Sequence, residues 1–307
     1  MRDSSKISSE RALMKPADDN RRQSDLLNAM ISSTNNETIK LIRSLQHRKF
    51  RDASGLLYVE GLRPFIESLD LANDLEMVLV TPSLLNEDMK RIVDLCQSFR
   101  IRIVEVAEPV LRALSSRDKP EGVAAVVRQH WDSLEALQPS QGGSCWIALQ
   151  SVREPRNIGA ILRVSDAVGA NGVILLDDSA DPYSPLAVRA STGAVFSQGL
   201  VRSNFAAFRD WLKVHNCPCI GTSPEAETDY IDLTFPRPMV LLMGSERAGL
   251  SAEQKSICDA LVRIPMAGHV ESLNVAVSTG ILLYEAYNQA RRTKRAEPRR
   301  ETAFISE

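Results

Sequence analysis

The chain has 307 residues, 44% of them hydrophobic and 25% charged, with a formal net charge of −2, the composition of an ordinary globular protein. No apolar run approaches the roughly 20 residues that cross a bilayer, and the N-terminus has no apolar core, so membrane and secreted classes are set aside and the cytoplasm is the expected compartment. Five scattered cysteines, an odd number in a chain long enough to bury its own core, call for no disulfide framework. The near-zero net charge means that any nucleic-acid partner must be met by local basic clusters.

Residues 1–36 are rich in Ser, Asn, Asp and Arg without apolar periodicity, and are expected to be a disordered arm. A short helical stripe follows (Ile39, Leu41, Ile42, Leu45) and ends in the basic run His47-Arg48-Lys49-Phe50-Arg51. Leu56 to Val59 predicts a strand, Gly61 to Leu71 a helix, Met77 to Val80 a strand, Asn86 to Ser98 a helix, Ile101 to Val106 and Val123 to Val127 two further strands. Residues 37–131 thus form a small α/β unit. The segment 132–144, with Pro139, Gly142 and Gly143, has the composition of a linker.

Residues 145–290 again alternate strand and helix, with strands expected at Trp146 to Gln150, Gly172 to Leu176, Cys219 to Gly221, Met239 to Met243 and Leu261 to Ile264. Strands this continuously apolar belong to a parallel sheet covered on both faces. The last helix, Val275 to Ala290, leads into the basic tail 291–307, whose arginines suit a solvated helix end.

Three segments placed just after strands can carry chemistry, because open α/β sheets bind ligands at that edge. In the first, Asn157-Ile158-Gly159-Ala160-Ile161-Leu162-Arg163, Asn157 is a candidate helix cap, Gly159 permits close backbone approach, and Arg163 lies about 9 Å further along the axis. In the second, Met243-Gly244-Ser245-Glu246-Arg247-Ala248-Gly249-Leu250, two glycines flank a single carboxylate, and Ser251 with Gln254 predicts a capping box that pins the loop. The third, Ile264 to Asn274, offers Ser272 as a cap for the last helix and places the amide of Asn274 near its positive end.

In this order and spacing the three segments resemble the three motifs of the TrmH (SpoU) branch of the SPOUT methyltransferases, over roughly residues 145–290. Arg189-Ala190-Ser191-Thr192-Gly193-Ala194-Val195-Phe196 is similar to that family's intervening segment. The N-terminal unit, through Arg48-Lys49-Phe50-Arg51, Ser54-Gly55-Leu56 and Val59-Glu60-Gly61, looks like the RNA substrate-binding domain joined to such enzymes. The resemblance implies an α/β SPOUT fold, mostly parallel and tied in a deep trefoil knot, and a homodimer. It also implies S-adenosylmethionine held by Thr192, Gly193, Met243, Gly244, Ile264, Met266 and Leu273. By the same carry-over Asn157, Arg163, Glu246, Ser272 and Asn274 match the catalytic polar positions, and Arg48, Lys49, Arg51 and Arg63 the RNA-binding cluster. No G-x-G-x-x-G follows a strand, as a Rossmann-type enzyme would show.

The implied reaction is S-adenosylmethionine-dependent methyl transfer to a ribose 2′-hydroxyl of structured RNA, ribosomal RNA before transfer RNA, with neither DNA nor membrane as partner. A guanidinium with pKa above about 12 is a costly base, so Arg163 is assigned to the developing oxyanion and a neighbouring phosphate. Glu246 is assigned to fixing the loop or the arginine. A catalytically silent RNA-binding or ribosome-assembly factor of the same fold is the competing reading from another class. His215-Asn216-Cys217-Pro218-Cys219 lacks the further ligands of a zinc site, so no metal is expected.

Overall fold

Two sheets divide the chain, which this computed structural model describes at residues 30–61, 74–115, 117–139 and 144–296. The first unit contains α1 (Glu37–Ser44), α2 (Arg48–Ser54), β1 (Leu56–Glu60), β2 (Leu75–Val80), α3 (Glu87–Ser98), β3 (Ile103–Glu105), α4 (Glu108–Leu114) and β4 (Val123–Arg128). Its sheet runs β1-β4-β2-β3, with β4 antiparallel to both neighbours and β2 parallel to β3. Leu57, Val59, Val78 and Ala125 cluster with Met89, Val93 and Cys96 of α3, while Tyr58, Leu79 and Val126 cluster with Ile39 and Ile42 of α1 and Leu111 of α4. Each fully buried aliphatic side chain of this kind contributes about 1.5–3 kcal/mol relative to exposure.

The second unit contains β5 (Cys145–Gln150), α5 (Pro155–Ala167), β6 (Gly172–Leu176), α6 (Pro185–Ser191), β7 (Gly199–Ser203), α7 (Phe205–His215), β8 (Cys219–Thr222), β9 (Thr228–Asp229), β10 (Met239–Met243), α8 (Ala252–Ser256), β11 (Ala260–Arg263) and α9 (Val275–Ala296). Its seven strands are ordered β7-β6-β5-β10-β8-β11-β9, and every pairing is parallel, as the unbroken apolar strands lead one to expect. Ile147, Leu149, Leu241 and Met243 pack under α5 and α9, whereas Trp146, Ala148, Val240 and Leu242 pack under α7. All strand ends that precede the three motif segments therefore open on the same edge.

Several sequence expectations change in the folded chain. The end of the supposed N-terminal arm is structured: Ile31 bridges to Val106, its amide donating to the Glu105 carbonyl at 2.8 Å. The basic run is not the tail of α1 but a helix of its own, α2. The supposed linker is docked, because Asp132 bridges to Val201 of β7 and Leu134 and Leu137 are buried in the core under α7. The last helix runs on through Arg291 and Arg292. The helix expected at Gly61 to Leu71, residue Arg63 and the end of the tail lie largely outside the described residues. Among those described, no helix is long and apolar enough to cross a membrane. All five cysteines are free thiols, and burial pushes Cys217 up to about 11.

Candidate active site

The first motif segment opens α5, and its cap is Glu154, whose carboxylate accepts from the Arg156 amide at 3.2 Å, with Pro155 at the first helical position. The expectation that Asn157 caps this helix is corrected. Asn157 sits inside the first turn, 8% exposed, with its side chain turned across the sheet edge. Gly159 behaves as expected: a Cβ there would stand 2.2 Å from the Ala187 carbonyl oxygen, so only glycine lets α6 pack this closely on α5. Arg163, one turn beyond Gly159, is exposed and makes no hydrogen bond or ion pair among the described residues.

The second segment leaves β10 and folds back on itself. The Gly249 amide donates to the Ser245 carbonyl at 3.0 Å, and a Cβ on Gly244 would lie 2.2 Å from the Gly249 carbonyl carbon. The Ser251–Gln254 capping box holds the far end, as the sequence predicts. Glu246 projects from this loop onto the entry of α5. It accepts from the Arg153 amide at 3.3 Å, the Glu154 amide at 3.2 Å and the Asn157 side-chain amide at 3.1 Å. Partial desolvation is the largest single influence on its carboxyl and pushes the pKa up. Its own amide, Asn157, Glu154 and Arg153 together outweigh that effect and hold the group below the usual carboxylate value. Of the two roles expected for Glu246, the geometry realises the fixing of the loop; its contacts do not include Arg163.

The third segment enters α9, and here the expected cap is corrected as well. Asn274 caps the helix, its Oδ1 accepting from the Ala276 amide at 2.9 Å, while Ser272 is exposed and without a hydrogen bond among the described residues. The Asn274 amide donates to Asn157 Oδ1 at 2.9 Å. Glu246, Asn157 and Asn274 are thus one hydrogen-bonded chain that joins all three segments. Ahead of it, no backbone group from Pro265 to Leu273 has a backbone partner among the described residues. Thr192 closes α6, which packs on α5, in a left-handed conformation (φ 52°) followed by Gly193 at φ 103°. A β-branched residue held there is strained, and such strain concentrates at ligand sites.

The profile of the SpoU rRNA methylase family matches residues 144–284, and that of the MRM3-like substrate-binding domain matches residues 36–125. A 23S rRNA (uridine(2479)-2′-O)-methyltransferase from Streptomyces viridochromogenes is 32% identical over 252 residues, 80% of this chain and 87% of that protein. The chain belongs to the SpoU rRNA methylase family. A 23S rRNA (guanosine-2′-O-)-methyltransferase from Burkholderia sp is 37% identical over 207 residues, 66% of this chain and 83% of that protein. Among solved structures, an AdoMet-bound rRNA methyltransferase from Sinorhizobium meliloti superposes with a TM-score of 0.77 at 34% identity, covering 85% of this chain and 97% of that one.

Within this SpoU methylase the residues expected to touch RNA separate. Lys49 is exposed and without a partner among the described residues, Arg48 is exposed and pairs with Asp52 at 3.3 Å, and Phe50 is 46% exposed. Arg51 is corrected. Its side chain is 3% exposed, with Nη2 2.7 Å and Nε 3.0 Å from Asp181 Oδ2 and Nη1 donating to the Leu45 carbonyl at 2.7 Å. A guanidinium enclosed in this way cannot reach a phosphate. Sequence reasoning also missed the two backbone amides of Arg153 and Glu154 that receive Glu246, and no residue type signals them.

Proposed function

We propose that the chain is an RNA methyltransferase that moves a methyl group from S-adenosylmethionine to a ribose 2′-hydroxyl of ribosomal RNA. The observation that carries this reading is the Glu246–Asn157–Asn274 chain, which brings the three motif segments of a SpoU methylase together at one sheet edge. The residues present fit the cofactor. Ile264 and Leu273 offer half-buried apolar surface above the core residue Met243, the Pro265 to Leu273 backbone has no backbone partner among the described residues, and the Thr192-Gly193 turn is held in a strained form. Gly244 and Met266 complete the proposed cofactor set, Met266 being 38% exposed.

S-adenosylmethionine supplies an electrophilic methyl on a sulfonium. The chain must then orient the ribose and stabilise the oxygen that becomes negative as its proton leaves. Arg163, exposed and without an ionic partner among the described residues, is the donor assigned to that oxyanion and the adjacent phosphate. Asn274 presents its amide beside the positive end of α9, and Asn157 holds that amide in place, while Ser272 remains free to contact ribose. Glu246 acts through position, locking the second loop to the entry of α5.

The reading extends to a trefoil knot through the second unit and to a homodimer in the cytoplasm. The dimer is supported by the exposed apolar face of α9, where Val277 is 51% and Tyr284 45% exposed. The first unit, residues 37–131, is the RNA-binding part in this reading, with Lys49 and Arg48 as its phosphate contacts, and residues 145–290 are the methyltransferase part. Mapping 2′-O-methyl groups across stable RNAs in cells with and without the protein tests the function. Loss of one ribosomal RNA methyl is expected; loss of a transfer RNA methyl moves the substrate, and no loss at all leaves the silent-factor reading. Light scattering at micromolar concentration tests the dimer.

A further inference from the structure

The junction between the two units is built from directed contacts. Arg51 of α2 sets Nε and Nη2 against Asp181 Oδ2, and the other oxygen of Asp181 accepts from the Tyr183 amide at 2.9 Å. Both charged side chains are enclosed, 3% and 5% exposed. Around them, Asp52 pairs with Arg202 of β7 at 3.4 Å, and the Arg202 guanidinium lies 4.1 Å from the centre of the Trp131 ring. Trp131 meets Tyr183 edge-on at 5.2 Å, and the Tyr183 hydroxyl accepts from the His130 amide at 2.9 Å. Alongside, α6 packs on β1.

The chain positions of these groups are what give the junction a consequence. Asp181 lies between β6 and α6, and α6 ends in the Thr192-Gly193 turn while its Ala187 carbonyl seats Gly159 of α5. On the other side, Arg51 follows directly on Arg48, Lys49 and Phe50, the exposed face of the same seven-residue helix. One short path therefore leads from the RNA-facing residues, through one ion pair, to the helices that carry the catalytic and cofactor positions.

A buried pair of this kind is a weak source of stability, since apolar residues of the same volume pack as well without desolvating two charges. What apolar packing lacks is direction, and a guanidinium fork on a carboxylate fixes orientation. We infer that Arg51 and Asp181 are positioning residues that set the register between the RNA-binding unit and the methyltransferase unit, and so select which nucleotide reaches the methyl donor. This inference rests on the proposed RNA methyltransferase activity.

The test uses the full chain and protein-free large-subunit ribosomal RNA from cells lacking the protein. Arg51→Met/Asp181→Leu removes both charges and leaves neither unpaired, and Arg51→Lys keeps the ion pair while giving up the rigid set of donors that orients it. The double variant gives up the bonds to the Leu45 carbonyl and the Tyr183 amide, so it should melt below the wild-type temperature but remain folded, and bind S-adenosylmethionine and RNA with affinities within about threefold of wild type. Its single-turnover rate should fall at least about tenfold, because a displacement of about 1 Å at a reacting centre costs up to about a hundredfold. Methyl groups should also appear on neighbouring nucleotides. Arg51→Lys should show the same loss of selectivity in milder form, because an ammonium keeps the charge without the planar fork, and it serves as the deciding variant if the double variant fails to fold. Wild-type rate and a single methylated nucleotide in a folded variant overturn the inference. Failure of the wild-type chain to methylate any RNA overturns the activity itself, a separate result.

Discussion

The Asn274 side-chain amide donates to Asn157 Oδ1 at 2.9 Å, so the cap of α9 and the first turn of α5 share a hydrogen bond between segments 117 residues apart. Asn157 then passes its own amide to Glu246, which makes it the middle member of the chain. An asparagine suits this place because it accepts from one side and donates to the other. Aspartate would set a second carboxylate against Glu246, and leucine would strand both partners.

Asn157→Ala is therefore expected to destabilise the protein by about 1 kcal/mol, the net worth of the hydrogen bonds lost, because Glu246 and Asn274 are exposed and regain water. Methylation should fall more than stability alone accounts for, since Asn274 loses its orientation. Urea denaturation together with single-turnover methylation checks both; a variant with full activity would remove Asn157 from the site.

Glu246 gives a pH prediction with a definite sign. Its carboxyl is held below the ordinary value in the folded chain, so it contributes stability above the unfolded pKa, and this is lost as pH falls through the folded one. The acid side of a melting-temperature profile should be shallower in Glu246→Gln than in wild type, with the gap between the two curves constant above the unfolded carboxyl value and closing as pH falls through the folded one. Identical curves would mean that the Arg153, Glu154 and Asn157 donors do not favour the charged form.

How far the sequence speaks for this structure depends on how local each cause is. The Ser251–Gln254 capping box needs only residues three apart, and the parallel sheet needs only continuous apolar strands, so both are legible. The caps of α5 and α9 mislead for one reason. Asn157 and Ser272 have the right residue type, but Asn157 is engaged by groups more than eighty positions away and Asn274 stands one residue before its helix. Arg51 misleads similarly. A basic run looks like one surface, yet a helix turns its neighbours apart, and the carboxylate that takes Arg51 lies 130 residues further along. Strand β7 is hidden in the sequence because Gly199, Arg202 and Ser203 interrupt its apolar character.

The division of the basic helix can be measured. Lys49→Ala and Arg48→Ala should each flatten the salt dependence of RNA affinity, by up to about 0.9 in the logarithmic slope for each phosphate no longer neutralised on a duplex-like site. The effect should be clearer for Lys49, because Arg48 already shares its charge with Asp52. S-adenosylmethionine affinity should stay unchanged in both. An unaltered slope would move the phosphate contacts elsewhere, the exposed arginines at the end of α9 being the next surface to neutralise.

Arg163 carries the most direct prediction about chemistry. It is exposed, unpaired among the described residues and placed one turn beyond the glycine that seats α6, so its removal disturbs no protein contact on which folding depends. Arg163→Ala should melt as the wild type does and bind S-adenosylmethionine normally, while its single-turnover rate falls by roughly 100- to 1,000-fold, as for loss of one oxyanion donor. Arg163→Lys should recover part of that rate at most, because an ammonium carries the charge without the planar fork that spans a phosphate and a ribose oxygen. The measurement needs saturating enzyme and cofactor on the mapped RNA, so that a binding defect is not read as a chemical one. Near-normal rates in both variants would reduce Arg163 to a surface arginine and leave the oxyanion to Asn274 and the positive end of α9.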